Sequence, residues 1–222
     1  MSKNVKFQAK EVTIASEDEN IVLKGFLNIP KDAKGIAVFA HGSGSSRHSP
    51  RNQYVASVFT EANMATLLMD LLMPDEEEVD MRTRHLRFDI ELLAERLNFA
   101  TSWLAQQEES KHLKVGYIGS STGAAAALVA AAENPDVIKA VVSRGGRPDL
   151  AGNSLHLVQA PTLLIVGSND FDVIKLNQQA LEMLTCVKSL EIVPNATHLF
   201  EEPGTLEEAA QLAKKWFSKY LK

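Results

Sequence analysis

The feature that most constrains this chain is a series of short runs, apolar nearly throughout, that alternate with helix-like stretches. The runs occupy residues 36–40, 65–69, 115–118, 138–142, 162–166 and 190–193. A strand with one wet face shows a polar residue at every second position; these do not. Unbroken apolar runs mark strands buried on both faces, as in a parallel sheet covered by helices. Between them, apolar residues recur at three-four spacing. One stripe is Leu86, Ile90, Leu93, Leu97, Ala100 and Leu104, and the last is Leu206, Ala209, Ala213, Trp216 and Tyr220. Thr205 and Glu208 read as a capping box for that last helix. The first thirty residues differ. Residues 12–15 and 21–29 read as two antiparallel strands, with Glu17, Asp18, Glu19 and Asn20 as their turn. The prediction is an α/β fold: a mostly parallel twisted sheet of about eight strands with an antiparallel N-terminal hairpin and helices on both faces.

Size and charge narrow the function classes. The chain has 222 residues, 45% hydrophobic, which suits one domain over residues 1–222 with a real core. A net charge of −5 gives no reason to expect a nucleic acid or an anionic membrane as partner. No apolar run approaches the roughly 20 residues that span a bilayer, and the start shows no secretory apolar segment. The single cysteine, Cys186, rules out an internal disulfide and a Cys-based zinc site, and suits a reducing cytoplasm. Residues 74–80 hold five acidic residues among seven. They read as a solvated surface loop, with a flap beside the site as the second reading.

In an open α/β sheet, chemistry collects at the carboxyl ends of the strands. Those ends carry His41-Gly42-Ser43-Gly44, Asp70, Gly119-Ser120-Ser121-Thr122-Gly123, Ser143-Arg144-Gly145-Gly146-Arg147, Asp170 and, after the last strand, His198. A Gly-x-Ser-x-Gly between an apolar strand and an Ala-rich helix is a nucleophile elbow: a strained turn exposes the serine, and side chains at the glycines would collide with neighbouring elements. Residues 115–118 supply the strand and 124–132 the helix, stopped by Asn134-Pro135. Ser121 is the predicted nucleophile.

A serine hydroxyl needs a base, and the base needs an orienter. The order Ser, acid, His assigns Asp170 and His198. Asp172 is a rival acid better placed to cap the next helix. His112 precedes a strand, at the wrong edge, and His48, His85 and His156 have no motif around them. Oxyanion donors are expected from the backbone N–H of Thr122 and of Ser43, with Gly42 as the fallback. Nucleotide loops fail on spacing: the third position of a dinucleotide fingerprint is Arg47, and no Gly-Lys-Ser/Thr occurs.

With these residues assembled, the chain resembles the α/β-hydrolase fold and, more narrowly, the dienelactone hydrolase family. The likeness runs from the hairpin to the final helix. It is carried by His41-Gly42-Ser43-Gly44-Ser45-Ser46-Arg47-His48, the elbow, Ser143 to Asp149, and Ala196-Thr197-His198-Leu199-Phe200. The branch it resembles includes hydrolase domains fused to phosphoribosyltransferases. That family's hydrolases proper use a cysteine nucleophile, whereas this chain has Ser121, so the resemblance implies ester or lactone hydrolysis as a reaction class and leaves the substrate open.

Residues 143–161 are too few for a cap domain, which predicts a shallow, open site suited to small acyl groups. Arg47, Arg144 and Arg147 lie on loops at its rim, and at least one is expected to grip an anionic part of the substrate or to hold the acidic segment. The sequence-based reading is a serine hydrolase of small esters or lactones, with no metal and no organic cofactor, as a monomer or homodimer. The same apparatus would serve an amide, thioester or peptide. A non-catalytic ligand- or partner-binding relative would be expected to lack a triad member, and none is missing.

Overall fold

The computed structural model describes residues 8–15 and 20–222. The predicted turn at 17–20 therefore falls largely outside the described residues, as does the amino-terminal start. The hairpin strands are β1 (Lys10–Ala15) and β2 (Val22–Asn28), followed by β3 (Gly35–Ala40), β4 (Ala65–Met69), β5 (Lys114–Ser121), β6 (Ile138–Gly146), β7 (Thr162–Gly167) and β8 (Lys188–Val193). They form one 8-stranded sheet in the order β1-β2-β4-β3-β5-β6-β7-β8. β1 pairs with β2 and β2 with β4 antiparallel; every other pairing is parallel.

Every residue of β3, β4 and β7 is buried. The unbroken apolar runs follow from this, because both faces of the sheet carry helices. On one face lie α1 (Pro50–Glu61) and α6 (Thr205–Tyr220), where Val55, Phe59, Ala213 and Phe217 pack on Phe39, Ile118 and Val142. On the other lie α3 (Ile90–Gln106) and α4 (Thr122–Glu133), with α5 (Phe171–Met183) beyond them. The α3 stripe is seated as predicted through Leu93, Leu97, Ala100 and Leu104. Leu86 lies outside it, in a short 3-10 turn, because Asp89 caps α3 by accepting from the Leu92 N–H at 3.1 Å. In α6 the buried line is Ala209, Ala210, Ala213 and Phe217, with Trp216 and Tyr220 on its half-buried flank. The expected capping box is absent: Gly204, at φ 84°, is the cap, and Thr205 Oγ1 donates to the Glu202 carbonyl at 2.8 Å.

The acidic segment departs from the loop expected of it. It forms helix α2 (Pro74–Thr83), with Pro74 in the first turn and Asp75, Glu76 and Glu77 at the N-terminus, where the helix dipole favours negative charge. Two of its acids are held. Glu76 accepts from the Met73 N–H at 2.8 Å and from Arg96 Nη2 at 2.6 Å. Asp80, buried, accepts from Arg87 through both backbone and side chain. Burial alone would raise the Asp80 carboxyl pKa; the Arg87 hydrogen bonds and charge outweigh that, and the pKa is lowered.

Between β6 and β7 there is no inserted cap, only 3-10 turns over Pro148–Leu157. Among the described residues no helix is long and apolar enough to cross a membrane.

Candidate active site

The connection after β3 crosses to β4 on one side, while β5 lies on the other side of β3. Crossovers leaving adjacent strands in opposite directions open a crevice at their carboxyl ends. The loop after β3 begins at His41, and β5 ends at Ser121, so both border this crevice.

The elbow is visibly strained. Ser121 sits at φ 50°, ψ −124°, a region that non-glycine residues rarely occupy, and such strain costs of order 1–3 kcal/mol. The flanking glycines are steric requirements. A Cβ on Gly119 would lie 2.4 Å from Ala124 Cα, and one on Gly123 would lie 2.3 Å from the Ala40 carbonyl oxygen. These contacts clamp α4 against the ends of β3 and β5. The Arg147 N–H donates to the Ser121 carbonyl at 3.0 Å and braces the turn from β6.

Asp170 and His198 arrive from the next two strand ends. Asp170 Oδ2 lies 2.7 Å from His198 Nδ1. A carboxylate can only accept from the ring, so the pair fixes the tautomer with the proton on Nδ1 and leaves Nε2 as the base. The two loops are stitched together: the Asn169 N–H donates to the Ala196 carbonyl at 2.9 Å, and the Asn195 N–H to Ser168 Oγ at 2.8 Å. Gly167 permits this approach, since a Cβ there would meet the Ala196 oxygen at 2.2 Å. Asp172 does not touch the histidine; its carboxylate is solvent-facing, 4.0 Å from Lys175.

Ser121 and His198 line one recess of about 260 Å³, together with Gly42, Ser43, Asn52, Ser120, Arg144 and Leu199. Among the described residues no group hydrogen-bonds the Ser121 hydroxyl, which is open to the recess. Thr122 begins α4, so its N–H is one of the helix's first, unsatisfied donors. On the facing loop, the Gly42 carbonyl accepts from the Ser45 N–H at 3.1 Å and lies 2.9 Å from His41 Nδ1. His41 Nε2 accepts from the Leu71 N–H at 3.1 Å, so Nδ1 is the protonated nitrogen and donates to Gly42. Across a trans peptide the C=O and the next N–H point in opposite directions. The Gly42 carbonyl is thus held on one side, and the Ser43 N–H is turned to the other.

Of the three rim arginines, only Arg144 lines this recess. Arg47 is bound to Asp70 by its backbone N–H, at 2.8 Å, and by its guanidinium, and reaches Glu11 at 3.0 Å. Arg147 makes a two-pronged contact with Asp149 at 2.9 and 2.7 Å. Neither holds the acidic helix, which is tied by Arg87 and Arg96 instead. His48, His85, His112 and His156 are exposed, away from the site. Sequence reasoning missed Arg51 and Asn52, which also line the recess. Their signal was available: Ser49-Pro50 opens a helix directly after the His41 loop, so the first turn of α1 must sit at the same edge.

Comparison with known proteins places the chain in a family and a fold. Residues 23–222 match the model of the dienelactone hydrolase family. A crystal structure of a dienelactone hydrolase from Anabaena variabilis is 60% identical, superposes with a TM-score of 0.94, and is matched over 97% of this chain and 99% of that one. Est1E from Butyrivibrio proteoclasticus, at 15% identity and TM-score 0.77 over 94% of this chain and 98% of its own, shares the fold. Proteins from two strains of Mycobacterium tuberculosis, provisionally named phosphoribosyl transferases, are 59% identical over 201 residues. The match covers 90% of this chain but 44% of theirs, so the chain spans less than half the length of those curated relatives.

Proposed function

The chain belongs to the dienelactone hydrolase family, and from that premise we propose that it is a serine hydrolase cleaving small carboxylic esters or lactones through an acyl-enzyme. Family and fold support a hydrolase acting on esters. The observation that carries the finer reading is the 2.7 Å His198–Asp170 pair, whose histidine shares a recess with the strained, half-buried Ser121.

In the proposed reaction, Ser121 Oγ attacks the ester carbonyl while His198 Nε2 takes its proton. The carbonyl π pair moves onto oxygen, where the N–H groups of Ser43 and Thr122 stabilise it. Collapse breaks the bond to the alkoxide, which leaves with the proton from His198. Water then repeats the sequence: His198 takes its proton, the acyl–Ser121 bond breaks, and the acid departs. Asp170 keeps the imidazole in its tautomer and stabilises the imidazolium without taking the proton. In a lactone, the leaving alkoxide stays attached to the acid. The transferase in the mycobacterial name describes chains more than twice as long as the matched segment.

The test is labelling by a fluorophosphonate probe. The folded protein is expected to react, and Ser121→Ala to lose all labelling. Absence of labelling in protein with a native circular-dichroism spectrum would overturn the reading in favour of a binding role.

A further inference from the structure

Asn177 is a buried polar group that neither the packing nor the triad explains. It lies in the middle of α5, the helix whose N-cap is Asp170, and has no exposed surface. Its Nδ2 donates twice, to the Val173 carbonyl one turn back at 2.8 Å and to the Gly146 carbonyl at 3.1 Å. Two carbonyl acceptors fix the orientation of the amide, because only its nitrogen can donate. Its Oδ1 is buried with no hydrogen-bond partner among the described residues. An apolar side chain of similar size would pack α5 without stranding that oxygen, and asparagine is a poor helix former. What an apolar residue could not supply is the bond to Gly146.

Gly146 ends β6 and leads directly to the nucleophile. Its peptide with Arg147 is trans, so the C=O and the N–H point in opposite directions. The carbonyl accepts from Asn177, and the N–H on the far side donates to the Ser121 carbonyl at 3.0 Å. The peptide between Ser121 and Thr122 is trans as well. With its carbonyl held toward Arg147, its N–H, that of Thr122, is turned the opposite way. That N–H is among the first, unsatisfied donors of α4. Packing leaves the link little play: a Cβ on Gly146 would lie 2.0 Å from Ser143 Oγ and 2.5 Å from Ala124 Cβ.

We propose that Asn177 is a positioning residue of the oxyanion hole, acting on the Thr122 N–H through two intervening peptide groups. This rests on the hydrolase reading above. Hydrogen bonds joined head to tail polarise one another. The Asn177 amide strengthens Arg147 as a donor, Arg147 polarises the Ser121 carbonyl, and the Thr122 N–H meets the oxyanion as a better donor. Helix α5 therefore serves the site twice. Its cap presents Asp170 to His198, and about two turns later Asn177 steadies the strained turn of Ser121.

The test pairs p-nitrophenyl acetate with its thiono analogue, in which sulfur replaces the carbonyl oxygen and accepts hydrogen bonds poorly. Asn177→Ala is expected to lower kcat on the oxygen ester about ten- to a hundredfold, up to the loss of one whole oxyanion donor, with KM nearly unchanged. The sulfur ester leans less on those donors, so the oxygen-to-sulfur rate ratio is expected to fall about tenfold. A smaller folded fraction would lower both rates alike and leave the ratio in place. Leu104→Ala, a core change in α3, serves as the destabilised control and should keep the wild-type ratio. An unchanged ratio in folded Asn177→Ala overturns the relay and leaves the hydrolase reading intact.

Asn177→Asp adds a pH signature. The neutral carboxyl can still donate to Gly146, whereas the ionised one cannot. Activity relative to wild type is expected to be highest at acid pH and to fall as the new group ionises, in a range that burial raises. Parallel profiles would overturn the proposal. If both variants misfold, the wild type still decides by NMR. On forming the adduct of a trifluoromethyl ketone, the amide protons of Thr122, Arg147 and the Asn177 side chain should all move downfield. A shift confined to Thr122 overturns the relay. A wild type that neither cleaves the ester nor forms the adduct fails the hydrolase reading itself, a result distinct from an active enzyme with an unmoved ratio.

Discussion

His41 illustrates how much of the site depends on one uncharged side chain. Buried at the end of β3, it donates to Gly42 and accepts from Leu71, and the second bond requires the neutral ring. Its pKa is lowered, first by burial, with the Gly42 carbonyl and the charges of Asp70 and Glu77 opposing. In the unfolded chain the ring titrates near 6.5, so the unfolded state takes up a proton first. Stability conferred by His41 is therefore complete above about pH 6.5 and declines as the pH falls below it, until the folded ring also protonates. Urea midpoints measured across this range should fall toward acid in the wild type, with a smaller slope in His41→Gln. An unchanged slope would sink the assignment. At this scale the placement of residues was readable where a motif fixes backbone: the positions of Ser121, Thr122, Asp170 and His198 follow from the elbow and the strand ends. Side-chain pairing across loops was not. Nothing local distinguishes Arg47, neutralised by Asp70, from Arg144, which is left without a carboxylate, because their partners are distant in sequence.

Helix α2 shows the same limit for an element. Its start signals were present in Pro74 and the three acids after it, but it has almost no apolar stripe, and periodicity is the stronger cue. What holds it is polar: Glu76 to Arg96 and Asp80 to Arg87. The second pair is asymmetric, since the Asp80 side chain is 1% exposed and that of Arg87 is 19%. Removing Arg87 strands a buried carboxylate, whereas removing Asp80 leaves a guanidinium able to reach water. Arg87→Ala is expected to cost about 3–5 kcal/mol, and Asp80→Ala clearly less. Chemical denaturation of both variants checks the order; equal losses would mean the pair acts through packing. The buried parallel strands, in contrast, were legible because burial on both faces leaves short unbroken apolar runs, shorter than the apolar run of the buried helix α4.

For the whole molecule, the topology sets the size of the site. The crevice between the β3 and β5 ends is bounded by short loops, with only 3-10 turns between β6 and β7, and leaves a recess of about 260 Å³. Each methylene of an acyl chain gains about 0.8 kcal/mol, roughly fourfold, only if it is buried. Over a p-nitrophenyl ester series, kcat/KM should stop rising at about the butyrate and stay flat or fall beyond it. A continued fourfold rise to the octanoate would require an enclosed channel and would refute this account of the site.

The C-terminal helix finishes at the opposite edge of the sheet. Leu221 packs over Gly35, where β3 begins, so closely that a Cβ on the glycine would meet Leu221 Cβ at 2.5 Å. His41 and Ser121 are at the far end of the same two paired strands. Immobilisation on a solid support through Lys222 would therefore orient every molecule with its recess facing the bulk liquid, and a reporter or carrier joined there would leave the approach of substrate unobstructed.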